Sequence, residues 1–321
     1  MKSSYLSEDV TLLLKDISGL VKPQSTQERE KLIQSGKHYS EMLPIEYVPS
    51  EKYMQVYKEA LINYSEPVAN AVGLLSDKII KARGKDFVLV SLARAGIPIG
   101  ILIKRYLKFK YKIDVPHYSI SIIRGRGIDD NAMKYLLSKY AAKKLLFVDG
   151  WIGKGAILNE LKKDLEKYEG VSSQIAVIAD PANVTELCGT HEDILIPSSC
   201  LNSTVSGLVS RTFLRSDIIG ENDFHGAVYY GELKNSDLSY DFIRQIEEKF
   251  QINNKDDEKY IEGRGIDEVE KIAKDFNVKD INFIKPGIGE ATRVLLRRLP
   301  WKVLIDAQYK DDAQLGHLVR L

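Results

Sequence analysis

The stretch Lys143-Lys-Leu-Leu-Phe-Val-Asp-Gly-Trp-Ile-Gly-Lys-Gly-Ala-Ile157 holds an apolar run, an acid at Asp149, a glycine-rich turn and the start of a helical pattern. A run that is apolar at consecutive positions predicts a strand buried on both faces, which belongs to a parallel sheet. A glycine-rich turn into a helix leaves backbone N–H groups exposed at a positive helix end, a place suited to phosphate. Lys154 adds a full charge there. The spacing is not that of a P-loop, because with Gly153-Lys154 as its Gly-Lys pair the earlier glycine would fall on Val148. Glycines that only permit tight strand–helix packing are the plainer reading of the turn.

The same alternation continues on both sides. Strands are predicted over 87–92, 118–123, 144–149 and 174–180, with helices over 97–109, 129–140 and 154–168. Together they predict an α/β domain with a parallel sheet. Before it, apolar residues at three- and four-residue spacing predict a helix from Glu51 to Arg83, divided at Pro67, and residues 1–50 read as an arm packed on the domain. The stretch 181–212 reads as a long hydroxyl-rich loop, 225–233 as a further strand and 238–250 as a helix. Residues 251–260, polar and aperiodic, read as a linker. A second, small α/β unit is predicted beyond it, with helices over 266–276 and from Gly289 to Arg298 and strands over 281–284 and 302–305.

Composition bounds the partners. In 321 residues, 46 Lys+Arg against 45 Asp+Glu leave a net charge of +1, so nucleic acid would have to be met by a local patch. Two cysteines, Cys188 and Cys200, exclude a disulfide scaffold. The start has acids where a signal peptide needs its apolar stretch. The longest apolar run, Gly96 to Ile103, falls far short of the roughly 20 residues of a membrane helix. The expectation is a cytoplasmic chain with no membrane partner; an oligomer is compatible with the sequence.

The turn after Asp149 resembles the phosphate turn of the type I phosphoribosyltransferases, whose signature is an apolar strand, two acids and a Thr-Gly-x-Thr turn that binds phosphoribosyl diphosphate. By position Asp149 matches the first acid, which the resemblance assigns to the ribose hydroxyls. Gly150 stands where the second acid would be, Lys154-Gly155 matches the Thr-Gly, and Ile157 replaces the last Thr. Ser91-Leu-Ala-Arg-Ala-Gly-Ile-Pro-Ile-Gly100 resembles the diphosphate loop of that family. Arg94 would be the cation that stabilises the leaving diphosphate, with Ala95 and Gly96 allowing close backbone approach. The resemblance implies a parallel-sheet fold, Mg2+ as cofactor, phosphoribosyl diphosphate or a related sugar phosphate as ligand, and glycosyl transfer as reaction. Catalysis then falls to Asp149 and Arg94, and ligand binding to Ala95, Gly96, Gly153, Lys154, Gly155 and Ala156. The turn 122–130 reads two ways, as a mobile cover that brings Arg124 and Arg126 to phosphate or as a solvated turn. The loop 196–212, ending at Arg211, with Asp180 at the end of the fourth strand, reads either as a wall facing an acceptor base or as a Ser/Thr-rich structural loop.

The segment 285–305 resembles the RNA-binding core of the Pelota and kink-turn-binding superfamily, on Gly287, Glu290, Thr292 and Arg293, with Gly289 in place of an Asn. Backbone N–H groups at the helix start, with Lys285, Arg293, Arg297 and Arg298, would suit a bent, structured RNA. An ordinary basic amphipathic helix is the plainer reading. Taken together, residues 1–250, a linker 251–260 and residues 261–321 resemble a bacterial family of phosphoribosyltransferase-like proteins fused to a Pelota-type RNA-binding domain. That family is encoded in tellurium-resistance and stress-response clusters, and some members are labelled stress-induced cysteine proteases. The altered motif leaves a second function open, a non-catalytic phosphoribosyl-ligand sensor acting on RNA. A cysteine protease using Cys200, with His117, His191 or His225 as base, is the weakest reading, since no local signature surrounds the thiol. No metal site is expected, because Cys188-x-x-His191 with Cys200 lacks a complete second pair.

Overall fold

The computed structural model describes residues 1–255, 265–297, 299–309, 312 and 315–321. Two short strands, β1 (Thr11–Leu12) and β2 (Lys15–Asp16), precede α1 (Thr26–Gln34) and the long α2 (Glu51–Arg83). Next come β3 (Val88–Ala93), α3 (Gly96–Tyr111), β4 (His117–Ile123), β5 (Gly127–Ile128), α4 (Asp130–Lys139) and β6 (Leu145–Val148). The first unit continues with α5 (Ala156–Leu165), β7 (Ile175–Ala179), β8 (Cys188–Thr190), β9 (Gly226–Ala227) and α6 (Ser239–Glu247). Helices α7 (Gly265–Asp275), α8 (Ile288–Arg297) and α9 (Gly316–Arg320) belong to the second.

The main sheet runs β1-β4-β3-β6-β7-β8, parallel throughout, with β5 folded back antiparallel on β4. The fold is therefore α/β with a parallel central sheet. Alternation along each strand fills both faces. Leu89, Leu146, Val148 and Ile178 pack toward α2 and α3, while Val90, Phe147 and Val177 pack toward α4 and α5, all with essentially no exposure. Each such side chain contributes about 1.5–3 kcal/mol when fully buried, which explains why the central strands were readable as unbroken apolar runs. The chain leaves β3 to one side for β4 and returns to the other side for β6. The carboxyl ends of β3 and β6 therefore flank a switch point, where open parallel sheets leave a crevice for ligands.

Several expectations differ from the structure. Helix α2 is continuous, with Pro67 inside it. An interior proline costs about 3 kcal/mol, and the burial of Tyr64, Val68, Val72, Leu75 and Ile79 in the core holds the helix across it. The stretch 181–212 is not all loop, since β8 adds an edge strand parallel to β7. Within 225–233 only β9 is a strand, and it pairs with β2 from the arm. Residues 251–255 are pinned to the first unit, with the Lys255 N–H donating to Asn70 Oδ1 and Asn254 Nδ2 to the Tyr106 hydroxyl. The rest of the expected linker, 256–260, and the start of the second unit lie outside the described residues.

No strand is found among the described residues of the second unit. Residues Ile281–Phe283 form a 3-10 turn, and 302–305 has no regular secondary structure and no strand pairing among the described residues. Phe283 is 80% exposed and Leu304 55%, so among the described residues these apolar side chains are not covered as those of a half-buried strand would be. No helix among the described residues is long and apolar enough to cross a membrane.

Candidate functional site

Pairing between β6 and β7 carries on past the strand end. The Asp149 N–H donates to Ala176 O (3.1 Å), Ile178 N–H to Gly150 O (3.0 Å), and Ile152 N–H to Ala179 O (3.0 Å). This ladder fixes Asp149 at the sheet edge. Its Oδ1 accepts the Gly150 N–H at 2.8 Å. Burial raises its pKa to about 7, against the lowering effect of that hydrogen bond, so the carboxyl titrates near neutral pH.

The loop after β3 lies directly alongside. A Cβ on Gly96 would meet Val148 O at 2.4 Å and the Asp149 Cα at 3.1 Å. Only glycine permits that approach, which places the backbone after Arg94 against the base of Asp149. The Ala93–Arg94 peptide is cis. Beyond Asp149 the turn reaches Gly155, in the left-handed region at φ +78°, and opens into α5. The first N–H groups of α5 have no partner within the helix. Gly155 is buried and Ala156 exposed. The structure thus brings Asp149, Ala95, Gly96 and the 153–156 turn to one edge.

The cations are distributed differently from the sequence expectation. Arg94 donates to Val209 O and to Asn202 Oδ1, both at 3.0 Å, so the 202–209 loop holds its guanidinium. Arg211, assigned above to a wall facing a base, lies near Arg94 and near Arg29 of α1. Burial, together with those two cations, brings its pKa down to about 10, still charged at neutral pH. The Arg211 guanidinium stands 5.0 Å over the Tyr39 ring. Three arginines near enough to act on one another electrostatically are a grouping suited to a polyanion. Arg29 carried no sequence signal, because it reaches the group only through the packing of the arm.

Lys154 does not reach over its own turn. Its Nζ donates to Ile284 O at 2.6 Å and Ile281 O at 3.3 Å in the second unit. Burial, reinforced by Lys285, lowers its pKa. The 124–127 turn is held at several points, among them the Arg124 N–H on the Tyr39 hydroxyl (2.9 Å). Arg124 donates to Asn282 Oδ1 (2.9 Å), the Gly125 N–H to Glu160 Oε2 (2.9 Å), and Arg126 to Glu41 Oε1 (2.5 Å).

The opening of α8 packs over this edge. Gly287, at φ +87°, faces the Asp193 carboxylate, which accepts the Ile288 N–H at 2.9 Å. Glu290 lies over Gly153, where an added Cβ would stand 3.3 Å from its Oε1. A narrow cleft between the units is lined by Trp151, Gly153, Asp193, Ser199, Gly289 and Glu290. Thr292 is fully buried, donating to Ile288 O and meeting His317 Nε2 at 2.8 Å. Arg293 is half-buried and near enough to Cys200 to favour its thiolate. Lys285 is exposed. Arg298 and the side chain of Arg297 lie outside the described residues.

Cys200 is fully buried, and burial pushes its thiol up to about 12. A nucleophilic thiol needs the opposite shift. His117 and His225 are built into the core, with ring nitrogens on Ser91 Oγ and Asp9 O in the first case and on Ser121 Oγ in the second. His191 is different, since it lies beside the other cysteine, Cys188.

Comparison with known proteins gives the chain relatives. A family model described as "Tellurite-like stress resistance cysteine protease StiP" matches residues 3–247, and one described as "PELOTA RNA binding domain" matches 263–321. A curated protein of Acinetobacter baylyi named "Cysteine protease StiP" is 36% identical over 339 residues, covering 99% of this chain and 88% of that protein. Solved structures show weaker likeness. A Neisseria gonorrhoeae hypothetical protein with bound ppGpp has 16% identity and TM-score 0.28, over 38% of this chain and 77% of that one. A Bacillus anthracis hypoxanthine-guanine phosphoribosyltransferase has 16% identity and TM-score 0.28, over 46% and 81%. The hypoxanthine phosphoribosyltransferase of Trypanosoma cruzi has 14% identity and TM-score 0.30, over 38% and 71%.

Proposed function

This chain belongs to the StiP family, and we propose that its sheet edge binds phosphoribosyl diphosphate and transfers the phosphoribosyl group to a base or similar nucleophile. The observation that carries the reading is the meeting of two loops at the switch point, Asp149 after β6 and Arg94–Gly96 after β3. In this assignment the N–H groups of the 153–156 turn hold the 5′-phosphate. Arg94, with Arg211 and Arg29, takes the diphosphate. The Asp149 carboxylate accepts hydrogen bonds from the ribose hydroxyls. As the C1–oxygen bond to diphosphate breaks, the sugar passes through an oxocarbenium-like state, which Asp149 stabilises by its charge. The guanidiniums stabilise the charge gathering on the leaving group.

The donor chemistry fits Mg2+, a hard cation that takes one or two carboxylate oxygens and completes its shell with waters and substrate phosphates. Asp149 is the residue that would hold it. When bound, the ion supplies neutralisation of the diphosphate charge.

We assign RNA to the second unit, through the exposed Lys285 and the start of α8. Arg293 is a poor probe of that role, because its reversal would place an acid beside the buried Cys200. Lys285→Glu is expected to weaken binding of a structured RNA by about tenfold and to lower the salt slope by roughly one, with sugar-phosphate affinity unchanged. An unchanged salt slope, read by filter binding across a salt series, would remove Lys285 from the interface.

The ties from Lys154 to Ile284 O and Ile281 O favour a second reading, a sensor whose ligand turn communicates with the RNA unit without turnover. Release of diphosphate from labelled phosphoribosyl diphosphate, measured against a panel of bases and amines, decides between them. Base-dependent release supports transfer. Binding with no release under any acceptor supports the sensor.

A further inference from the structure

Cys188 is drawn into a polar group by the β7–β8 pairing. Val177 stands opposite Cys188 and Ala179 opposite Thr190, so Asp180 at the end of β7 and His191 just after β8 come to the same place. One donor atom from each of Asp180, Cys188 and His191 lies within 4.8 Å of the other two. Cys188 Sγ is 3.3 Å from His191 Nε2, while His191 Nδ1 is 3.0 Å from the Asp180 carbonyl oxygen. With its proton on Nδ1, donated to that carbonyl, the ring keeps Nε2 as its lone-pair nitrogen. The sulfur lies beside the ring, 3.7 Å from Nδ1 as well, so a rotation of the imidazole would bring Nε2 and Sγ onto one ion. Imidazoles that ligate metals are held in this way, the second ring nitrogen donating to a backbone carbonyl or a carboxylate.

Asp180 is equally fixed. Its Oδ2 accepts the N–H groups of Val184 (2.7 Å) and Thr185 (2.8 Å), which leaves Oδ1. That oxygen is buried with no hydrogen-bond partner, on a residue with no exposure. A buried acceptor left unmade costs about 1–3 kcal/mol, so this carboxylate, whose Oδ2 is also 3.7 Å from His191 Nδ1, keeps an oxygen available to a ligand. The sulfur–nitrogen separation is close to the edge of a tetrahedral zinc site, about 3.5 Å for bonds of about 2.3 Å to sulfur and about 2.0 Å to nitrogen.

We propose that Asp180, Cys188 and His191 bind a borderline divalent transition metal, Zn2+ foremost, through thiolate, Nε2 and carboxylate. The sulfur and imidazole donors select against Mg2+ and Ca2+, which take oxygen. Two anionic donors neutralise the dication inside the protein. Three protein ligands leave a fourth position for water or a further ligand, the pattern of an open zinc site. The sequence pairing of Cys188-x-x-His191 with Cys200 missed the site, because the third donor comes from a neighbouring strand. A nucleophilic pair of Cys188 with His191 is the competing use of the same atoms, and the full burial of Cys188 disfavours it.

The test uses the full chain, reduced, stripped with a chelator and titrated with Co2+ and then Zn2+. One equivalent of Co2+ is expected to bind with a thiolate-to-cobalt charge-transfer band in the near ultraviolet, and Zn2+ is expected to abolish it. Cys188→Ser should remove the band, and His191→Gln or Asp180→Asn should weaken metal binding at least tenfold. Cys200→Ala should leave the band intact. If those variants fold poorly, X-ray absorption on the wild-type zinc form reads the shell directly, with one sulfur and two or three lighter neighbours expected. Absence of stoichiometric metal at micromolar concentration overturns the proposal, as does a band that survives Cys188→Ser or a shell without sulfur. Fast alkylation of Cys188 at neutral pH that Zn2+ does not slow would overturn it in favour of the nucleophile.

Discussion

Asp149→Asn is expected to lower the rate of diphosphate release by at least about a hundredfold, the scale of losing one preorganised charge at a developing cation, and to make the protein more stable at alkaline pH. The two effects have one cause. Burial raises the carboxyl to about 7, while in the unfolded chain it titrates at about 3.9. Between those values the folded state binds the proton and the unfolded state does not, so stability falls as pH rises through that window and levels off above it. At ~1.4 kcal/mol per pH unit the full shift is about 4 kcal/mol. Asp149 is only partly buried, which reduces the figure to on the order of 2–3 kcal/mol. Asparagine carries no such penalty. The variant should therefore match the wild type near pH 4 and exceed it near pH 8 in thermal denaturation. Wild-type turnover should rise with pH through about 7, as the carboxylate forms, and the variant's residual rate should be flat. A variant with normal turnover would take Asp149 out of the reaction, and equal stability at both pH values would deny that it is a buried acid.

The second large effect is expected at the guanidinium group. Arg94→Ala removes a charge from the assigned diphosphate site and leaves Val209 O and Asn202 without their donor. Charge-assisted hydrogen bonds are worth about 1.5–3 kcal/mol each, so affinity for phosphoribosyl diphosphate should fall roughly ten- to a hundredfold. Stability should fall by about 1–2 kcal/mol through the loop that Arg94 holds. Arg211→Ala separates the two contributions, since Arg211 lies against Tyr39 rather than on that loop's carbonyl. It should cost a similar factor in diphosphate affinity. Ribose 5-phosphate, which lacks the diphosphate, should bind both variants as it binds the wild type. Equal losses for the two ligands would mean that the arginines serve the fold and not the diphosphate.

What could be read from the sequence follows from how local each cause is. The runs that became β6 and β7, and most of β3, are apolar on both faces because helices cover both sides of the sheet, so their buried nature is written in consecutive residues. Strand β4 instead alternates its isoleucines with the buried His117, Ser119 and Ser121. Asp149, Gly96 and Gly155 were legible because a strand end followed by a glycine turn is a short-range pattern. The direction of Lys154 was not, since its partners Ile281 and Ile284 lie more than a hundred residues away. The gathering of Arg29, Arg94 and Arg211, and of Asp180 with Cys188 and His191, likewise depends on strands and an arm brought together by the fold. The predicted strands at 281–284 and 302–305 failed for the converse reason. Their apolar composition is strand-like, but a strand is a property of two segments, and among the described residues neither segment pairs with a neighbour.

The most direct test of the central claim is a calorimetric titration of the full chain with phosphoribosyl diphosphate, with and without Mg2+, beside ribose 5-phosphate. The reading predicts Mg2+-dependent binding that prefers the diphosphate by at least about tenfold, or ~1.4 kcal/mol. Heats that are absent for both compounds, or affinities that are equal, would contradict it.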